Sequence, residues 1–297
     1  MSAAAGAETG RRARYVIAAA LALAAGALLP SAANAGAIDV GAGATHSCAL
    51  KQNGKVVCWG ADPAPEAVAP GAFRSLSVGW THDCALTELG EVACWGSDSV
   101  GEASPPPGRF ASVSAGGNHT CGVRPSGRVR CWGHDPMADY GQADPPPEEF
   151  LSVSAGGDHT CGITTSRNVS CWGRNDYGEA SPLGGEFRSV SAGSFDTCGI
   201  RPGGKVRCWG IDEAETQPPE QKFMDLDLAP LHACGINVND RARCWGSNAY
   251  GQSSSPRGKF KSVAAGFHHS CGVRPRGKVR CWGRGDSGQT DVPPALS

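Results

Sequence analysis

Residues 112–133 read SVSAGGNHTCGVRPSGRVRCWG, and the same pattern returns in each of seven repeats. Its invariant frame is a cysteine, nine intervening residues, then Cys-Trp-Gly. The pairs are Cys48/Cys58, Cys84/Cys94, Cys121/Cys131, Cys161/Cys171, Cys198/Cys208, Cys234/Cys244 and Cys271/Cys281, which use all 14 cysteines of the 297-residue chain. Repeats begin near residues 37, 73, 110, 150, 187, 223 and 260. A period of this length predicts a repeat architecture.

Within the quoted stretch, short alternating apolar runs bounded by Gly and Pro predict antiparallel strands joined by tight turns. Pairing Cys121 with Cys131 sets Val123 opposite Val129 and leaves Pro125, Ser126 and Gly127 as the loop. In that three-residue hairpin the last loop residue is left-handed, which favours Gly. Gly54, Gly90, Gly204 and Gly277 hold the same position. Arg167 and Asp240 do not suit it, so those two turns are expected to be strained or differently shaped. Each cysteine pair then faces across the ladder at a non-hydrogen-bonded site, within disulfide reach.

The candidate core follows by position. Phe73, Phe110, Phe150, Phe187, Phe223 and Phe260 open six repeats, and each hairpin adds an aliphatic residue such as Leu86, Val123 or Ile163. The tryptophan after each second cysteine faces the other side of the sheet. A sheet apolar on both faces has to lie between neighbours, as the blades of a propeller do. An open solenoid would need capping repeats, and neither end of this array is atypical. The expectation is an all-β, seven-bladed propeller of four-stranded antiparallel blades over residues 36–297, with one cross-strand disulfide per repeat. The strand around Ile38–Gly41 is expected to complete the last blade.

Residues 1–35 read as a secretory signal peptide: Arg11, Arg12 and Arg14, an Ala/Leu-rich run from Val16 to Leu29, and a small-residue cleavage site at Ala33-Asn34-Ala35. The run falls short of the ~20 residues that span a bilayer. Removing the leader's three arginines and one glutamate shifts the net charge from −1 to −3, and no Lys/Arg cluster offers nucleic acid a footprint. The expected location is extracellular or periplasmic, with no membrane insertion after cleavage. In such a compartment, evenly paired cysteines predict disulfides. A zinc site would need short spacings such as Cys-x₂-Cys, which do not occur.

Segments such as SVSAGGNHTCGVRPSGRVRCWG resemble the repeat of the regulator of chromosome condensation family, in which a His-Thr step, a Gly-Val turn and Trp-Gly recur. The resemblance runs through the mature chain and implies a seven-bladed β-propeller. The paired cysteines are similar to those of the crinkly-type plant receptor ectodomains. The leader-plus-propeller layout is more similar to a secreted propeller that inhibits β-lactamases. Fold likeness alone carries no function across.

His46, His82, His119, His159, His232 and His269 stand two residues before the first cysteine of their repeats, with Asp196 in the seventh. Because the position follows the repeat, it reads as an internal hydrogen-bonding group rather than a metal ring, and no metal or cofactor is expected. Arg284-Gly285-Asp286 resembles an attachment tripeptide but falls where Arg174-Asn175-Asp176 lies in another repeat, so it reads as a blade turn. Asn118-His119-Thr120 and Asn168-Val169-Ser170 are glycosylation sequons. Neither a nucleophile motif nor a phosphate loop is present, and no enzymatic activity is expected.

Function is expected where the repeats differ. The loop before each histidine varies, and by symmetry these loops emerge on one face. Trp80, Phe195, Leu231, Phe267 and His268 have no repeated structural duty there and predict a partner-binding surface. The reading is a secreted, monomeric, non-enzymatic propeller that binds a protein through this face. The alternatives are a structural cell-surface or matrix component and, more specifically, an inhibitor of an extracellular enzyme.

Overall fold

Cross-strand pairing in every repeat follows from the cysteine spacing. In the computed structural model, which describes residues 36–61, 72–133, 135–211 and 217–297, Cys121 pairs with Cys131 and Val123 with Val129. The Arg124 N–H closes the loop on the Arg128 carbonyl at 2.8 Å. The expected disulfides all form: Cys48–Cys58, Cys84–Cys94, Cys121–Cys131, Cys161–Cys171, Cys198–Cys208, Cys234–Cys244 and Cys271–Cys281, with Cα–Cα distances of 3.9 to 4.1 Å. The signal peptide expected over residues 1–35 lies outside the described residues.

Gly127 closes its loop at φ 84°, and Arg167 and Asp240 adopt the same conformation at φ 65° and 59°. Those two turns are therefore strained rather than reshaped, at a cost of ~1–2 kcal/mol each for a side chain in the left-handed region.

Among the described residues there are seven sheets, each of three antiparallel strands in chain order. In blade 1 these are Ala37–Ala42, His46–Lys51 and Val56–Gly60. Four strands per blade were expected. Among the described residues, the segment after the outer strand runs as turns through prolines such as Pro105-Pro106-Pro107 and Pro145-Pro146-Pro147, which have no N–H for a ladder. Isolated bridges such as Arg128 with Glu149 are what remains of the fourth position.

This difference reaches the disulfides. The first cysteine of every pair lies on a middle strand and is fully buried. The second lies on the outer strand, which has no further strand of the described residues beside it. Cys94, Cys171, Cys208, Cys244 and Cys281 are half-buried, and Cys58 and Cys131 are buried at 8 % exposure. The bridges therefore run from the core toward the rim of each blade.

The inner strands pack successively around a closed ring, with Ala37–Ala42 against Ser262–Ala265 of blade 7. Six of the blade interfaces join the hairpin aliphatic of one blade to the Phe and Trp of the next. Leu86 meets Phe110 and Trp132, and Ile163 meets Phe187 and Trp209. The Phe110 and Trp132 rings lie 5.6 Å apart. Gly122 is required under that phenylalanine, because a Cβ there would come within 2.5 Å of the ring.

Ring closure differs from expectation. The strand Ala37–Ala42 pairs with His46–Lys51 in its own blade, with Gly41 opposite Cys48. A partner one tight turn away requires far less loop closure than one at the other end of the chain. Blade 1 has Ala37 where the other repeats have Phe, and Leu296, 2 % exposed, packs in the same cluster. The Leu296 carbonyl accepts the Val279 N–H at 2.7 Å.

Polar side chains bind the blades together along the axis. Ser77, Ser114, Ser154 and Ser191 each accept a backbone N–H from the next blade's inner strand. In blade 6 Asp227 takes this role, accepting the Ala265 N–H at 2.8 Å. Asp227 and Asp39 are pushed up to about 7, and Asp225 to about 6, chiefly because the surrounding protein displaces bulk water from these carboxyls. Asp225 is solvent-exposed, and Asp39 and Asp227 are half-buried, so solvent tempers this burial penalty.

Candidate partner-binding face

The loops that join inner to middle strands converge at one end of the axis, where their backbones bond from blade to blade. Trp80 N–H donates to the Gly116 carbonyl, Gly117 to Gly156, Gly157 to Gly193, and Phe267 to Gly43, at 2.9 to 3.2 Å. Blade 6 interrupts this circuit, since Pro230 has no N–H to give.

Trp80 extends from blade 2 across this hub. A Cβ on Gly157 would lie 3.0 Å from its ring, so the glycines of blades 3 and 4 leave the space the indole occupies. Its ring meets Phe267 of blade 7 edge-on, with centroids 4.9 Å apart. The structure brings all five residues singled out in the sequence, Trp80, Phe195, Leu231, Phe267 and His268, to one cavity of about 680 Å³. Ser194, Asp196, Ile211 and Pro230 complete its lining. Phe195 and Leu231 remain 37 % and 38 % exposed, while Trp80, Phe267 and His268 are half-buried. Part of this set therefore packs locally, and part faces solvent.

The rim adds aromatic groups that the sequence reading missed. Tyr177 packs edge-on against Phe195 at 5.5 Å, and Tyr250 lies 5.0 Å from His268. Arg174 sits 5.2 Å from the ring centres of both Tyr140 and Phe195, and Arg284 lies 5.1 Å from Tyr250. The missed signal is the Tyr-Gly step before a Gln or Glu in three repeats, where others have Val100 or Ser287. The buried Gln or Glu accepts the tyrosine's backbone N–H, as Glu179 does from Tyr177 at 2.8 Å, and so fixes each tyrosine on the rim.

Beneath the face, the repeated histidines bridge blades. Nε2 of His82, His119, His159, His232 and His269 meets the hydroxyl of Thr120, Thr160, Thr197, Ser270 and Ser47 at 2.7 to 2.8 Å. Thr120 in turn donates to the Glu102 carbonyl at 2.8 Å, so its oxygen accepts from a histidine protonated on Nε2. Burial pushes His119 and His232 down to about 3, and His159 and His269 down to about 4. His46 pairs instead with Asp83 at 2.9 Å. His46, Cys48 and Asp83 are close enough to share a metal ion, but the Cys48 sulfur is bonded to Cys58, which removes the thiolate a metal would need.

Arg284 forms an ion pair with its own Asp286 at 2.7 Å, as Arg174 does with Asp176. Both tripeptides are thus the same turn, with their charges engaged internally. Asn118 and Asn168 of the sequons are exposed.

The regulator of chromosome condensation (RCC1) repeat model matches residues 37–62, 73–102, 110–142, 150–179, 231–252 and 260–289. No curated protein matches the sequence significantly. Among solved structures, the entire ectodomain of the Physcomitrella patens receptor kinase CR4 is similar at 26 % identity and TM-score 0.71, covering 84 % of this chain and 74 % of that one. The CRINKLY ectodomain of the Arabidopsis thaliana receptor kinase ACR4 is similar at 27 % identity and TM-score 0.68, covering 84 % and 98 %. Prp20p from Saccharomyces cerevisiae shares the fold at 17 % identity and TM-score 0.66, covering 75 % and 74 %.

Proposed function

For this chain, which belongs to the regulator of chromosome condensation repeat family, we propose a secreted, non-enzymatic propeller that binds a protein partner through its aromatic loop face. The observation that carries the reading is the convergence of Trp80, Phe195, Leu231, Phe267 and His268 on one cavity. Aromatic side chains outside the repeated core are the residue types that dominate protein interfaces. Likeness to two receptor ectodomains, together with seven disulfides, supports an extracellular location.

The test is quantitative capture from the native secretome with immobilised wild-type protein, with Phe195→Ser/Leu231→Ser, and with Leu89→Ser/Val238→Ser. Leu89 and Val238 are exposed on hairpin turns at the opposite end of the blades. A partner retained by the Leu89/Val238 variant and lost by the Phe195/Leu231 variant supports the face. Equal capture by all three proteins refutes it.

A further inference from the structure

Charge is unevenly divided along the axis. At the end opposite the aromatic face, each hairpin turn meets the strand start of the next blade, as where the Phe260 N–H bonds to the Asp240 carbonyl at 2.7 Å. In blade 7 this end carries Arg257, Lys259, Lys261, Arg274, Arg276 and Lys278, and residues 257–280 contain no acidic residue. In sequence these cations are scattered among apolar strand residues, so no cluster stands out; the fold gathers them. The Lys261 N–H bonds to the Val273 carbonyl at 2.7 Å, and the Arg274 guanidinium to the Arg257 carbonyl at 3.1 Å. Blade 1 extends the patch with Lys55. Its turn is tied to the Gly36 carbonyl by the Gln52 N–H at 2.9 Å, and a Cβ on Gly36 would lie 2.8 Å from the Arg276 carbonyl oxygen.

All of these cations except Arg274 are exposed. Among the described residues one ion pair reaches them, Lys259 with Asp240 at 3.1 Å. Arg276 holds φ 72°, a left-handed conformation that no other described repeat adopts at this second loop position, and such strain collects at binding sites. An exposed cationic arc on a chain of net charge −3 without its leader is an electrostatic footprint for a polyanion. Its flanks select which kind. Glu88 and Glu91 in blade 2 and Glu220 in blade 6 are exposed carboxylates on either side, which a stiff duplex with its two rows of phosphates would overlap. Among the described residues the exposed aromatic side chains, Tyr140, Tyr177, Phe195 and Tyr250, all lie at the other end, so unpaired bases find no ring to stack on. A single flexible chain of anionic sugars meets neither obstacle.

We propose that this patch binds an acidic polysaccharide, whose carboxylate or sulfate groups engage Lys55, Lys261, Arg276 and Lys278. The inference goes beyond the protein-binding reading and uses a different surface, and it takes from that reading the extracellular location where such polymers occur. Arg274, lying over the Phe260 ring at 5.2 Å, anchors the turn that presents Arg276 and Lys278.

The probes are polygalacturonate and dextran sulfate, which separate carboxylate from sulfate recognition, with uncharged dextran as the control. A short DNA duplex and phosphatidylserine vesicles are the competing polyanions. At least one acidic polysaccharide is expected to bind and dextran is not, with affinity falling about tenfold or more as salt rises from about 50 to 200 mM. Lys261→Gln/Arg276→Gln/Lys278→Gln is expected to weaken binding about tenfold or more. Arg109→Gln/Arg167→Gln/Lys205→Gln removes the same charge from exposed positions in blades 3 to 5 and is expected to leave binding nearly unchanged. Arg276→Gly, a residue suited to φ 72°, is expected to weaken binding while the melting temperature holds or rises, which separates lost charge from lost fold. Phe195→Ser/Leu231→Ser is expected to bind as wild type does. Failure of both acidic polysaccharides to bind, equal losses in the two triple variants, tighter binding of the duplex or the vesicles, or loss of binding in Phe195→Ser/Leu231→Ser overturns the proposal. Protein capture through the aromatic face stands or falls separately, because none of the patch residues lines that cavity.

Discussion

Asp227 offers a measurement whose sign depends on pH. It stands where Ser77, Ser114, Ser154 and Ser191 stand in other repeats, and like them it accepts an N–H from the next blade. Asp227→Ser keeps that acceptor and removes the carboxyl. The group titrates near 7 in the folded chain, against 3.8 for a free aspartate. A raised folded value means that the native state holds a proton which the unfolded chain has already released. Stability from this group is full below about pH 4 and is lost as pH rises through 7. At about 1.4 kcal/mol per unit the ceiling is roughly 4 kcal/mol. Partial solvent access and the neighbouring Asp39 and Asp225 carboxyls, which can share the burden, reduce the expectation to ~1–2 kcal/mol. For a domain of this size that is a rise of about 2–8 °C in melting temperature at pH 8. Melts of wild type and variant from pH 4.5 to 8 should show a gap that opens as pH rises. A gap independent of pH, or a less stable variant at pH 8, would refute the assignment of a half-buried, proton-holding carboxyl.

The buried histidines act in the opposite direction. His119, His159, His232 and His269 titrate at about 3 to 4 when folded, against 6.5 when free. The unfolded chain therefore binds more protons between those values, and stability falls as pH drops below 6.5, most steeply in the Asp227→Ser background, as melts across that range will show. Trp132→Ala removes a buried core indole and should cost ~3–5 kcal/mol in denaturant unfolding. Trp80→Ala removes a half-buried ring above glycines, so it should cost clearly less and instead weaken partner binding. Leu296→Ala should cost ~2–5 kcal/mol, read as a lower unfolding midpoint, because that side chain fills the interface where Ala37 replaces the usual Phe.

The repeat made most of the fold legible. Cysteine spacing alone set the hairpin register, and the recurrence of Phe, Leu/Ile/Val and Trp set what each blade interface contains. The N-terminal strand was misplaced because sequence periodicity defines the units but not where the ring is cut. The Ala37 substitution was the available clue, and it acquires meaning only when Leu296 is found beside it. Three strands rather than four are found per blade among the described residues, because prolines such as Pro105-Pro106-Pro107 supply no N–H for a ladder. For the candidate face, breaking symmetry was a usable signal for Trp80, Phe195, Leu231, Phe267 and His268. Broken symmetry also marked Asp196, which stands where the other six repeats have histidine.

Pairing each inner strand within its own blade also shapes how the molecule comes to exist. Every disulfide joins cysteines ten positions apart, and no strand of the described residues awaits a partner from a distant repeat. In an oxidising compartment, the native partner of the first cysteine of each pair is the next cysteine to arrive. Blades can be sealed in order, each covering the apolar face of the last. The final event is then the docking of blade 7 against blade 1, a single non-local step at the end of an otherwise local assembly.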